Sequence, residues 1–88
     1  MDEWFLYVIQ TKHGEWYTGI SIDPDKRLKA HQEGRGAKYL RGRGPLEIVW
    51  RQKVGDKKLA LKYERSLKKL TKAKKELLIT NQLAFGDD

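Results

Sequence analysis

The sequence contains no cysteine, and proline is nearly absent, with two in 88 residues. Without thiols the fold can use neither disulfides nor thiolate-held metals, which is the pattern of a reducing compartment, so the cytosol is the expected setting. Long apolar runs are missing as well. The longest strictly apolar stretch is Trp4 to Ile9, far below the ~18 residues that a spanning helix needs. The start Met1-Asp2-Glu3 carries no basic lead, so neither an export signal nor a membrane anchor is expected. A chain this short buries only about 60 to 65% of the surface that its unfolded form exposes, which argues for one domain with a modest core and against a deep, many-layered site.

Acidic residues are scarce beyond position 25. Residues 1 to 25 hold five acids and one base, a net of −4, whereas residues 26 to 88 hold eighteen bases and seven acids, a net of +11; together they give the formal +7. A basic field of that size attracts polyanions and speeds their encounter, so nucleic acid is the first partner to consider.

What is present is organised by local signals. Trp4 to Gln10 and Trp16 to Ser21 are β-prone runs separated by a short segment that includes Gly14, which predicts a hairpin. Asp23 and Pro24 mark a helix start and Gly34 a stop, giving a helix over about Pro24 to Glu33. "GRGAKYLRGRG", residues 34 to 44, has four glycines and four basic residues and predicts a loop. Leu46, Ile48, Trp50, Gln52 and Val54 alternate with Glu47, Val49, Arg51 and Lys53, the period of a half-buried third strand that Pro45 can open. After Asp56, a plausible cap, Leu59, Tyr63, Leu67 and Leu70 recur at helical spacing. Thr71 either caps a further short helix through Ile79 or marks a bend. The expected fold is α+β, in the order β-β-α-β-α-α, with helices flanking a three-stranded antiparallel sheet. One domain is expected over residues 1–81, with 82–88 as a frayed tail.

Several side chains suit phosphodiester hydrolysis, which needs a cation against the non-bridging oxygens, a base for water and commonly a hard metal on carboxylate oxygen. Arg27 and His31 fall one turn apart on the first helix, and Glu64 sits at the edge of the second helix's apolar stripe. Tyr7 and Tyr17 place two phenols in the hairpin strands. In order along the chain, Phe5-Leu6-Tyr7, Tyr17-Thr18-Gly19, "DKRLKAH", "GAKYLR" and "ALKYERSLKKL" together resemble a GIY-YIG nuclease domain over about residues 4 to 79, as found in small stand-alone bacterial proteins. The tripeptides are altered at non-tyrosine positions.

The resemblance implies catalytic roles for Tyr7, Tyr17, Arg27, His31 and Glu64. The tyrosines would line the active surface and one would help deprotonate water; Arg27 would contact the scissile phosphate and His31 would move a proton or orient a tyrosine. Glu64 would hold a single divalent cation, Mg2+ or Mn2+. A phenol ordinarily titrates near 10 and needs cations to act as a base at neutral pH, while His31 needs none, so the base stays open between Tyr7, Tyr17 and His31. Asn81 is the candidate for an asparagine that relatives place near the metal. In the loop, Lys38, Tyr39, Arg41 and Arg43 are expected to contact nucleic acid, through phosphate and by stacking.

The expected function is a metal-dependent endonuclease on DNA, with branched, flapped or damaged DNA as the expected substrates and a link to repair; no substrate-delivery module is expected, so a protein partner is a candidate source of specificity. The alternatives are a nucleic-acid-binding module that does not cleave and an adaptor for another protein. Each residue also has a plainer role. The tyrosines can be packing aromatics, Arg27 a solvated charge, His31 a satisfied helix-end histidine, and Glu64 half of an ion pair with Lys68. The lysine face of Lys68, Lys69, Lys72, Lys74 and Lys75 either solubilises or widens the electrostatic footprint.

Overall fold

The computed structural model of the chain describes residues 3–86. The elements are β1 (Trp4–Gln10), β2 (Trp16–Ser21), α1 (Pro24–Gln32), β3 (Glu47–Gly55), α2 (Lys57–Lys68) and α3 (Lys72–Thr80), with one 3-10 turn at Lys38–Leu40 inside the glycine-rich segment. The expected order therefore holds. The strands lie in the order β2-β1-β3, with β1 antiparallel to both neighbours.

Helix starts follow the caps. Asp23 accepts from the Lys26 amide and Pro24 occupies the first turn of α1; Asp56 accepts from the Leu59 amide at α2. The Thr71 hydroxyl accepts from the Lys74 amide, so the chain starts a new helix there rather than bending.

Because successive strand residues face opposite sides, β1 divides the core in two. Leu6 and Val8 pack with Trp50, Leu67 and Leu78 under α2 and α3. Tyr7 and Ile9 pack with Leu40 and Leu46, against Tyr17, Leu28, Ala37 and Ile48. The simple alternation expected for residues 46 to 54 fails here. Val8 faces Trp50 but Ile9 faces Ile48, so β3 spends one extra residue in a bulge, which throws Leu46 and Ile48 to the Tyr7 side and leaves Trp50 on the other. Leu59, assigned to the apolar stripe of α2, is 36% exposed; the buried side runs through Ala60 and Leu67.

The expected frayed tail is a second correction, as far as residue 86. The Trp50 indole N–H donates to the Leu83 carbonyl at 2.9 Å, and the Gln52 side-chain amide both donates to the Phe85 carbonyl and accepts from its N–H. These are satisfied polar groups on β3 rather than local tail signals, and the Phe85 ring adds an edge contact with Tyr63. Asp87 and Asp88 lie outside the described residues.

Candidate active site

The Tyr7 side of the sheet is built around a missing side chain. Gly19 is opposite Tyr7 in the β1–β2 ladder, and a Cβ there would stand 2.6 Å from the Tyr7 Oη. Glycine lets the phenol lie across β2. The ring is 1% exposed, and its oxygen lies 3.3 Å from Nε2 of His31, in the last turn of α1.

His31 is held from its other side. The Ala37 N–H donates to Nδ1 at 3.0 Å, so that nitrogen must carry a lone pair, and the neutral ring must bear its proton on Nε2. Nε2–H therefore donates to the Tyr7 oxygen. The loop comes this close because Gly36 has no Cβ, which would fall 1.9 Å from Nδ1.

Arg27 projects from α1 one turn before His31 and bears on both groups. Burial first, then Tyr17, pushes Tyr7 up from its ordinary 10.0 to about 12; the charge and hydrogen bonding of Arg27 oppose the rise and the Glu64 charge adds to it. Burial, then Arg27, pushes His31 below its ordinary 6.5. At neutral pH the pair is uncharged.

Tyr17 is half-buried and meets His31 edge-on, ring centroids 5.7 Å apart. All five side chains expected at the site thus act on one neighbourhood: Tyr7 and Tyr17 through contact with His31, Arg27 and Glu64 through their charges on Tyr7. The Glu64 side chain is 21% exposed and pairs with Lys68 at 3.4 Å.

The loop residues divide. Tyr39, 45% exposed, stacks on Tyr17 at 6.3 Å. Arg43 lies over the Tyr39 ring at 4.5 Å and donates to both Glu15 oxygens at 2.8 and 2.9 Å. Arg43, expected at phosphate, ties the loop to the hairpin through this pair while its side chain stays 37% exposed. Arg41 is exposed, with Nε donating to the Gly34 carbonyl, and Lys38 is exposed. Asn81 stays with its own helix, donating to the Leu77 carbonyl. Sequence reasoning assigned no role to Glu15, Gly36 or the Ala37 amide, because each acts through a partner distant in the chain or through backbone.

Among the described residues no three or more histidine or acidic side chains come together. Glu64, the carboxylate whose charge acts on Tyr7, would be a single protein oxygen donor. That donor fits a hard ion such as Mg2+, which keeps several waters and takes further oxygens from substrate phosphate.

Comparison with known proteins identifies the family. A profile described as "GIY-YIG catalytic domain" matches residues 3–77. A UPF0213 protein of Aeromonas hydrophila is 52% identical over 79 residues, which cover 90% of this chain and 58% of that protein. The chain thus spans little more than half the length of that relative. The UPF0213 protein YhbQ of Salmonella arizonae is 48% identical over 85 residues, 97% of this chain and 85% of its own. A solution NMR structure of a UPF0213 protein from Bacillus halodurans superposes with a TM-score of 0.60 at 40% identity, covering 91% of this chain and 85% of that one. With the family profile over nearly the whole chain and relatives of this identity, the chain belongs to the GIY-YIG family.

Proposed function

We propose that this chain is a divalent-cation-dependent endonuclease that hydrolyses phosphodiester bonds in DNA, structured or damaged DNA above all. The observation that supports the reading is the buried Tyr7–His31 pair with the Tyr17 ring against His31, and with the charges of Arg27 and, more weakly, Glu64 acting on the Tyr7 phenol. Packing alone does not call for a buried tyrosine–histidine pair with a cation and a carboxylate beside it.

The hydrogen bonds support one division of roles over the others. His31 is unsuited as the base: Nδ1 is taken by the Ala37 amide and Nε2 already carries a proton. Tyr7 is buried too deeply for a water to reach its oxygen. Tyr17 is the phenol open to solvent. In the proposed reaction, water forms the new bond to phosphorus as one of its protons passes by way of the Tyr17 hydroxyl to solvent. The bond from phosphorus to the leaving sugar oxygen breaks, and that oxygen is protonated from solvent. Arg27 stabilises the extra charge on the phosphoryl oxygens. Tyr7 and His31 hold the Tyr17 ring from beneath. A divalent cation on Glu64 would neutralise phosphate charge and favour deprotonation of nearby water.

The test is nicking of plasmid and of forked or flapped oligonucleotides with Mg2+, Mn2+ or EDTA. Cleavage is expected only with a cation, and Glu64→Ala should reduce it by about 100-fold or more while leaving DNA binding intact. Binding without any cation-dependent cleavage would favour a binding module on this fold.

A further inference from the structure

Beside Arg27 lies a groove of about 390 Å³ lined by Ser21, Ile22, Asp23, Lys26, Ala30 and Arg35 as well as Arg27 itself. Positions 23, 26, 27 and 30 form one stripe of α1, and the Arg35 N–H returns to the Ala30 carbonyl, laying the loop along the end of that stripe. The groove therefore runs about 10 Å along the helix. Successive phosphates of one strand stand farther apart than the roughly 3.4 Å rise along the duplex axis, so the groove spans no more than two of them.

Its chemistry is that of a nucleic-acid backbone site. Lys26 has no ion-pair partner among the described residues, and Arg35 has only Glu33, an exposed pair that solvent weakens. The acid in the lining, Asp23, is occupied in accepting from the Lys26 amide. Between the charges stand Ala30 and Ile22, the latter 48% exposed. An exposed isoleucine beside cations suits a deoxyribose ring flanked by its phosphates better than it suits water.

The geometry points to this groove as the subsite for the nucleotide next to the cut, with its phosphate on Lys26 and Arg35 and its sugar on Ile22 and Ala30. Naming the adjoining phosphate as the scissile one rests on the nuclease reading; binding in the groove does not. Arg41 donates to the Gly34 carbonyl, next to Arg35, and so adds a further cation near that end of the groove.

The experiment pairs binding with cleavage. Lys26→Glu with Arg35→Glu is compared with Lys69→Glu and Lys74→Glu, an equal charge change on the helices that cover the other sheet face. Fluorescence anisotropy in EDTA over a salt series reads binding alone. The groove variant is expected to lose on the order of tenfold in affinity, and its salt dependence should fall by roughly one per phosphate contact removed, two in total. The control pair should lose much less. In cleavage assays with oligonucleotides shortened from each end, the groove variant should raise KM and leave kcat unchanged, and shortening on one side alone should stop mattering to it. Equal losses in both variant pairs, or wild-type affinity in the groove variant, would overturn the subsite. A wild-type chain that binds through the groove yet never cleaves would sink the nuclease reading and leave the subsite standing.

Discussion

The two faces of β1 are one residue apart and follow opposite rules. On one, Leu6 and Val8 meet Trp50, Leu67 and Leu78, and a close apolar fit is all that is required. On the other, Tyr7 is buried as completely as Leu6, yet its oxygen is satisfied by His31 and its ring sits where Gly19 makes room. The first face holds the fold and the second holds a polar pair in place. The difference teaches where each kind of substitution should register: stability on one side, turnover on the other.

The largest expected effect on stability belongs to the apolar face. Leu67→Ala removes a side chain with no exposed surface, and should cost about 2 to 5 kcal/mol in urea melts while leaving turnover at low temperature near wild type. Loss of turnover at temperatures where the variant is folded would break the division.

Gly36→Ala is the corresponding probe of the polar face. The new Cβ would fall on Nδ1 of His31, so the loop must withdraw and the Ala37 donor with it. Turnover should fall by about 100-fold, as for a displaced catalytic group, with a smaller stability loss than Leu67→Ala. Wild-type activity would remove His31 positioning from the account.

The smallest effects are in the pH dependence of stability, and the two groups act at opposite ends. Tyr7 titrates higher when folded than unfolded, so its contribution is present below pH 10 and is lost as pH rises from 10 towards 12. His31 titrates lower when folded, so the fold weakens as pH drops below 6.5, when the unfolded chain takes up a proton that the folded one resists. Denaturant midpoints from pH 5 to 11 for wild type, Tyr7→Phe and His31→Gln check both; the alkaline loss should shrink in the first variant and the acid loss in the second. Unchanged profiles would mean that neither group is as buried as described.

What the sequence disclosed was local. Asp23, Asp56 and Thr71 announce their helices because a cap acts on amides three residues on. The common face of Tyr7 and Tyr17 was expected only from the family resemblance, and the β1–β2 register, with Tyr7 opposite Gly19 and Ile9 opposite Tyr17, puts them there. The bulge near Val49 was hidden because alternation within β3 says nothing of its register against β1. The tail was misread for a similar reason: Trp50 and Gln52, thirty-three positions away from Leu83 and Phe85, hold it. Arg43 looked like a phosphate contact because four basic residues in a glycine-rich run give no sign that Glu15 waits across the hairpin. Gly19 and Gly36 matter for atoms that they lack, and a sequence shows a glycine without showing what presses against it.

The most direct measurement of the central claim is an NMR spectrum of the labelled chain during titration with Mn2+, which broadens signals by proximity whether or not any bond is cut. The account predicts early broadening at Glu64 together with Tyr17, Arg27 and Tyr7, from strands and helices far apart in the chain, and its loss in Glu64→Ala. Broadening that begins at other acids, such as Asp25 and Glu47, and spares that group would contradict a shared site.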